Sequence, residues 1–208
     1  MLAINQLCAD ANPESASIPP FSSFKMQISH PFLIGAGHLD ETKMEFGARA
    51  LADAWGKTLI PHRCSQQPDL VLSSLSADEG ISQLIGDAAI ALDSGGTWIE
   101  ALAAWRIPVA LIVAPLQSGE IPGNAAAYAA LCKQCSVRFL GLIQLGGFWN
   151  QAQRKSDGLS WCGWINDQEN LPLDHNVLTD FDAMDPMVIV EQLDRRLKIL
   201  KEQHQKIN

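Results

Sequence analysis

The run Pro108-Val-Ala-Leu-Ile-Val-Ala114 is apolar at every position. A strand with one wet face alternates apolar and polar residues, whereas a strand covered by helices on both faces reads as unbroken apolar sequence. This run therefore commits the chain to the inside of a parallel sheet. Ala88–Leu92 reads the same way, and between the two runs stand a glycine turn, Asp93-Ser-Gly-Gly96, and a helix over Thr97–Trp105. A helix over Asn124–Cys135 and a strand over Phe139–Leu145 continue the pattern.

Upstream, the sequence predicts a strand over Pro31–Ala36 and a helix from Glu41 to Trp55. Asp40 is its N-cap, Leu39 with Met44 its hydrophobic staple, and Met44, Ala48, Leu51 and Trp55 its apolar face. Gly56 ends it. A short strand follows at Lys57–Pro61; Asp69–Leu75 fits strand or helix, and Asp78–Ile85 reads as a short helix. Downstream, Gly146–Gly158 reads as a loop exposing Trp149, Arg154 and Lys155, Trp161–Ile165 as the last strand, and Asn170–Asp182 as loop. Asp185-Pro186 opens a final helix along which Ile189, Leu193, Leu197 and Leu200 recur, with Glu191/Arg195 and Asp194/Lys198 as outer-face pairs. Alternating strands and helices without an internal repeat give an α/β fold: a three-layer α/β/α domain with a mostly parallel sheet of about six strands, connected right-handedly. That domain occupies residues 30–208, and residues 1–29, with Pro19-Pro20 and little periodicity, read as an extended or partly disordered arm.

Composition narrows the function. With 47% apolar and 18% charged residues the chain can bury one good core,. A net charge of −8 and a pI near 5.0 argue against a nucleic-acid partner,. No apolar run approaches the roughly 20 residues of a bilayer span, and the start lacks a secretion-signal pattern, so a cytoplasmic protein without a membrane partner is expected. Five cysteines suit a reducing compartment,. Cys132 and Cys135 form a C-x-x-C on a helix without a second pair at zinc spacing, which reads as two small apolar residues before a redox or metal site.

Ligands of open parallel sheets bind beyond the carboxyl ends of the strands, which singles out Asp93, Ser94, Gly95, Gly96 and Thr97. Gly95 and Gly96 permit close backbone approach, and the helix from Thr97 offers free N–H groups to an anion. The same residues also make an ordinary tight turn, and both readings stand.

The stretch Leu102-Ala-Ala-Trp-Arg-Ile-Pro-Val-Ala-Leu-Ile-Val113, with Ile121, Asn124-Ala-Ala-Ala-Tyr-Ala-Ala-Leu131, Gln134, Val137 and Gly141-Leu-Ile143, resembles the second half of dethiobiotin synthetases. These are P-loop enzymes of the dethiobiotin/cobyrinate amidotransferase group, and their cyanobacterial-type members are the most alike; the likeness covers residues 88–145. It implies a P-loop NTPase-like fold, a homodimer, and an ATP- and magnesium-dependent ligase that closes a ureido ring on a diaminononanoate in biotin biosynthesis. It also implies site residues. Gly35-Ala-Gly-His-Leu-Asp-Glu-Thr-Lys43 takes the place of the phosphate loop, with Gly35, Gly37, Thr42 and Lys43 at the nucleotide, Lys43 and Asp93 catalytic, and Asp93 with Thr42 at magnesium. Ser94, Gly95, Gly96 and Thr97 line the same site. This chain departs from the family pattern in putting Asp40 and Glu41 where phosphates would sit and in lacking the converging glycine of the loop. The family's lysine after the second strand gives way to His62 and Arg63, and its adenine-reading asparagine is missing from Gln144-Leu-Gly-Gly147. Either a divergent enzyme or a member that kept the scaffold and lost catalysis results.

Two further classes compete. Gly95-Gly-Thr-Trp-Ile-Glu100 with Pro108 downstream resembles the donor-binding half of sugar-nucleotide glycosyltransferases, and also the Gly-x-x-x-Glu element of nucleoside deoxyribosyltransferases and lysine-decarboxylase-like nucleotide hydrolases. Each makes Glu100 functional, against the plainer reading of a first-turn carboxylate that favours the helix dipole. The third class is a non-catalytic scaffold on which Trp98, Trp105, Trp149, Trp161 and Trp164 line an interface or, for Trp98 and Trp105, fill the core. His38 is a base, a ligand or a solvated loop residue.

Overall fold

The computed structural model describes residues 30–75, 80–167 and 185–205. The arm at 1–29 and the loop at 170–182 lie outside them. In chain order the elements are β1 (Phe32–Gly35), α1 (Glu41–Ala54), β2 (Leu59–Arg63), α2 (Pro68–Ser74), β3 (Ile81–Ile85), α3 (Trp98–Ala104), β4 (Pro108–Val113), α4 (Gly123–Gln134), β5 (Arg138–Leu145), α5 (Gln151–Ser156), β6 (Trp161–Ile165) and α6 (Pro186–Gln205). The strands form one six-stranded sheet in the order β2-β3-β1-β4-β5-β6. Every pairing is parallel, with Leu33 opposite Gln83 on one side of β1 and Ala110 on the other.

Alternation along the inner strands divides the core into two clusters. Phe32, Ile34, Val109, Leu111 and Val113 face one way and pack with Leu72 of α2, Trp98 and Leu102 of α3 and Tyr128 of α4. Leu33, Ala110 and Ile112 face the other way, against Met44, Ala48 and Leu51 of α1 and Ile189, Leu193 and Leu197 of α6. This is the three-layer α/β/α arrangement that unbroken apolar strands require. No described helix is long and apolar enough to cross a membrane.

Three local expectations are corrected. The third strand is Ile81–Ile85 rather than Ala88–Leu92, and it replaces the helix predicted over Asp78–Ile85. Ala88 and Ala89 form a turn, and Ile90 is 63% exposed, so that run is outside the sheet. Polar residues hid the true strand: Ser82 is buried with its hydroxyl 3.3 Å from His62 Nε2, and Gln83 is 1% exposed at the strand centre. The ambiguous stretch before it is helix α2.

Third, Gly146–Gly158 contains α5, and Arg154 is 5% exposed instead of solvated. Its Nε donates to Gln144 Oε1 at 3.0 Å, and its guanidinium lies 5.1 Å from the Trp161 ring centroid and 5.9 Å from that of Trp149. Asp194, expected to pair with Lys198, accepts from Trp55 Nε1 at 3.2 Å and so ties α6 to α1.

Candidate functional site at the carboxyl edge of the sheet

The helix after β1 packs on one face of the sheet and the helix after β4 on the other, although the two strands are neighbours. Such a switch opens a crevice beyond the carboxyl ends of those strands. The loops that border it are 36–40, 86–97 and 114–122.

Two glycines of the first loop are dictated by space. A Cβ on Gly35 would stand 2.9 Å from Gly37 O, and one on Gly37, at φ +88, would stand 2.7 Å from Asn124 Nδ2. Asn124 and Tyr128 are one turn apart on α4 and touch two different loops, since the Tyr128 hydroxyl donates to Asp87 Oδ1,. Asp87 Oδ1 also accepts from Ala89 N at 2.9 Å, which turns the chain sharply out of β3,. Cys64, just past β2, packs against Gly86, where an added Cβ would lie 3.1 Å from its sulfur. Its carbonyl accepts from Trp98 Nε1 at 3.0 Å. Four elements thus converge on Asp87.

Burial first, then the Asp87 charge, push the Cys64 thiol up to about 12. Burial, followed by the hydrogen bond to Asp87, likewise raises Tyr128 above the ordinary phenol range. Both groups stay protonated at neutral pH. Cys64 is therefore no thiolate nucleophile, and Tyr128 holds Asp87 as a fixed acceptor. Unfolded thiols ionise near about 8.5, so above that pH the unfolded chain releases protons that the native state keeps. The stability these groups contribute is complete below about pH 8.5 and falls as pH rises toward 12,. Urea midpoints measured from pH 8 to 11 should decline, and less steeply in Cys64→Ala; equal slopes would contradict the assignment.

The predicted site residues fall into two groups. Gly35, Gly37, Thr42 and Lys43 belong to the β1–α1 corner, whose electrostatics are acidic. Asp40 caps α1 and accepts from Lys43 N at 3.0 Å. Glu41 pairs with Arg63 at 2.9 Å, and Lys43 Nζ lies 3.9 Å from Asp167 Oδ2. Thr42 is exposed, as is His38. Asp93, Ser94, Gly95, Gly96 and Thr97 lie in the later part of the β3–α3 loop, where Leu92 O accepts from Gly95 N and Ser94 Oγ donates to Gln67 Oε1 at 3.1 Å. Nothing lies within 4 Å of a Cβ built on Gly95, so this turn stands in the open. Asp93 is exposed and eight residues beyond the end of β3.

Glu100 stands in the first turn of α3 against its N-cap: Thr97 Oγ1 accepts from Glu100 N at 3.2 Å and donates to Glu100 Oε2 at 3.0 Å,. Asp87, Cys64 and Tyr128 were not singled out in the sequence. The available signal was Gly86-Asp87 directly after a strand, hidden because that strand was read as helix.

Among the described residues no group of three or more His, Cys, Asp or Glu is placed to hold a metal ion. The α1 terminus also fits a nucleotide phosphate poorly, because a carboxylate already accepts one of its free N–H groups and two acidic residues stand there,. The chain matches no protein-family model and has no significant match among curated proteins.

Proposed function

We propose that this chain is a dethiobiotin synthetase-like scaffold that no longer performs phosphoryl transfer and acts as a non-catalytic, dimeric binding protein. The observation that carries the reading is the Asp40 carboxylate on the first turn of α1, 3.0 Å from Lys43 N. A phosphate in its place would meet a fixed negative charge with Glu41 beside it, where a phosphate-binding loop offers backbone donors and a lysine. ATP and magnesium, which the resemblance implies, are not its ligands on this reading. Glu100 is a helix-capping residue on it, which sets aside the glycosyl-transfer and nucleotide-hydrolase alternatives.

The same edge supports a binding role. Ile90, Leu116 and Phe148 stand in the loops after β3, β4 and β5 and are 63%, 51% and 63% exposed. Apolar side chains on neighbouring loops favour contact with another surface, and a second copy of the chain is the partner proposed. The test is phosphate release from magnesium-ATP in the presence of diaminononanoate and bicarbonate, alongside sedimentation of the protein. The reading expects no release above buffer and a dimer. Turnover that disappears in Lys43→Ala would overturn it.

A further inference from the structure

The Arg154 guanidinium is buried without a full set of acceptors. It lies between α5, which carries it, and strands β5 and β6, which supply Gln144 and Trp161. Its Nε donates to Gln144 Oε1 at 3.0 Å, and that amide is fixed in turn, because Gln144 Nε2 donates to Gly146 O at 2.9 Å and to Phe148 O at 3.1 Å. Nη2 is shut off from solvent and has no acceptor. Among the described residues the ion pair of Arg154 is with Asp157, whose Oδ2 is 3.8 Å from Nη1 and beyond hydrogen-bond reach,. Asp157 is held at that distance by its own bonds: Oδ1 accepts from Leu159 N and Oδ2 from Trp161 Nε1, both at 2.8 Å.

A second donor is stranded beside the first. The guanidinium carbon lies 5.9 Å from the Trp149 ring centroid, and Trp149 Nε1 is likewise buried without an acceptor, although the residue itself is partly exposed. Buried N–H groups without acceptors are uncommon, and on a charged group they are costly. The ring faces of Trp149 and Trp161 attract the cation, but they do nothing for the N–H of Trp149 itself. Burial lowers the Arg154 guanidinium in spite of the opposing charge of Asp157, so its positive charge is incompletely compensated,. The amide of Gln83, also buried and unpaired, offers a donor and an acceptor and would suit a water,. Arg154 and Trp149 offer donors alone.

We infer that Arg154 and Trp149 bind a halide-sized monoanion, chloride in ordinary buffers, with guanidinium Nη2 and indole Nε1 as its donors. A carboxylate or phosphate is matched by paired N–H groups of one fork, and here Nε of the fork is already taken by Gln144,. A spherical anion accepts from any direction and needs no fork. Water could accept from the same two groups but would leave the charge unbalanced. The bound anion ties Trp149, next to the exposed Phe148, to α5. The site is separate from the α1 corner and does not depend on the scaffold reading of that corner.

The purified full-length chain is melted in increasing sodium chloride at constant ionic strength, with sodium gluconate as the balancing salt and sodium bromide as a parallel arm. The site predicts a saturable rise in Tm with either halide, about 3–6 °C once the halide reaches about ten times its dissociation constant. Trp149→Phe keeps a ring against Arg154 and removes the N–H, so the apparent chloride affinity should fall at least roughly tenfold. Equal melting in chloride and gluconate, or an unchanged chloride affinity in Trp149→Phe, would overturn the site. Crystals of the unsubstituted chain grown in bromide give a readout that does not rely on the variant folding. An anomalous peak in contact with Arg154 Nη2 and Trp149 Nε1 is expected, and its absence would equally overturn the site.

Discussion

Replacing Trp98 by alanine is expected to cost about 4 kcal/mol of unfolding free energy, a large part of the roughly 5–15 kcal/mol available to a domain of this size. Trp98 is 0% exposed at the start of α3, and its ring lies 6.0 Å from that of Phe32, which in turn stacks on His62 at 5.5 Å. Its indole N–H holds the Cys64 carbonyl at 3.0 Å. The substitution therefore opens a cavity under the central strand and removes the hydrogen bond that fixes the residue beside Asp87. Trp98→Phe should recover most of the packing and lose about 1–2 kcal/mol for the unpaired carbonyl. Guanidinium chloride midpoints of the two variants separate the contributions. A cost below about 1 kcal/mol for Trp98→Ala would mean that α3 does not anchor the crevice.

Arg154→Ala should lose about 3 kcal/mol, because it removes the partner of a buried side chain instead of replacing the whole arrangement. Arg154 is 5% exposed, bonds Gln144 Oε1 at 3.0 Å, and lies 3.8 Å from Asp157 Oδ2. It also fills the space between Trp149 and Trp161, whose rings meet edge to face at 5.9 Å. Arg154→Lys should recover little, since an ammonium can neither stack as a plane nor match the geometry of the Nε–H bond. Urea unfolding checks both variants. A lysine variant as stable as the parent would show that position 154 needs only a positive charge.

These two residues also mark how far the sequence could be read. Strands β1, β4, β5 and β6 and helices α1, α3, α4 and α6 were legible because burial on both faces, or on one stripe, leaves a pattern that local residues alone carry. Asp40, Thr97 and Asp185-Pro186 located helix starts for the same reason, since capping is decided within one turn. Strand β3 was not legible because Ser82 and Gln83 interrupt its apolar run, and what makes Ser82 acceptable is His62, twenty residues earlier and one strand away. Arg154 misled for a related reason: a basic residue in a polar stretch reads as solvated, and its burial depends on Gln144 and two tryptophans contributed by other elements.

The candidate site shows the same division. The place of Glu100 in the first turn of α3 follows from nearby residues, and the sequence indicated it. Asp87 acquires its place only when β3 ends beside β1, α4 brings Tyr128 across, and β2 brings Cys64. Reading Ala88–Leu92 as the strand moved attention six residues along, to Asp93, which stands on an exposed turn.

On the proposed reading the Asp40 carboxylate occupies the place of a nucleotide phosphate on α1. Isothermal titration of the purified protein with ATP, in the presence and absence of magnesium, tests it most directly. A titration whose heats do not depend on magnesium and show no binding in the micromolar range is the predicted result. Magnesium-dependent binding in the micromolar range, weakened by Lys43→Ala, would contradict it and make a nucleotide-using enzyme the better reading.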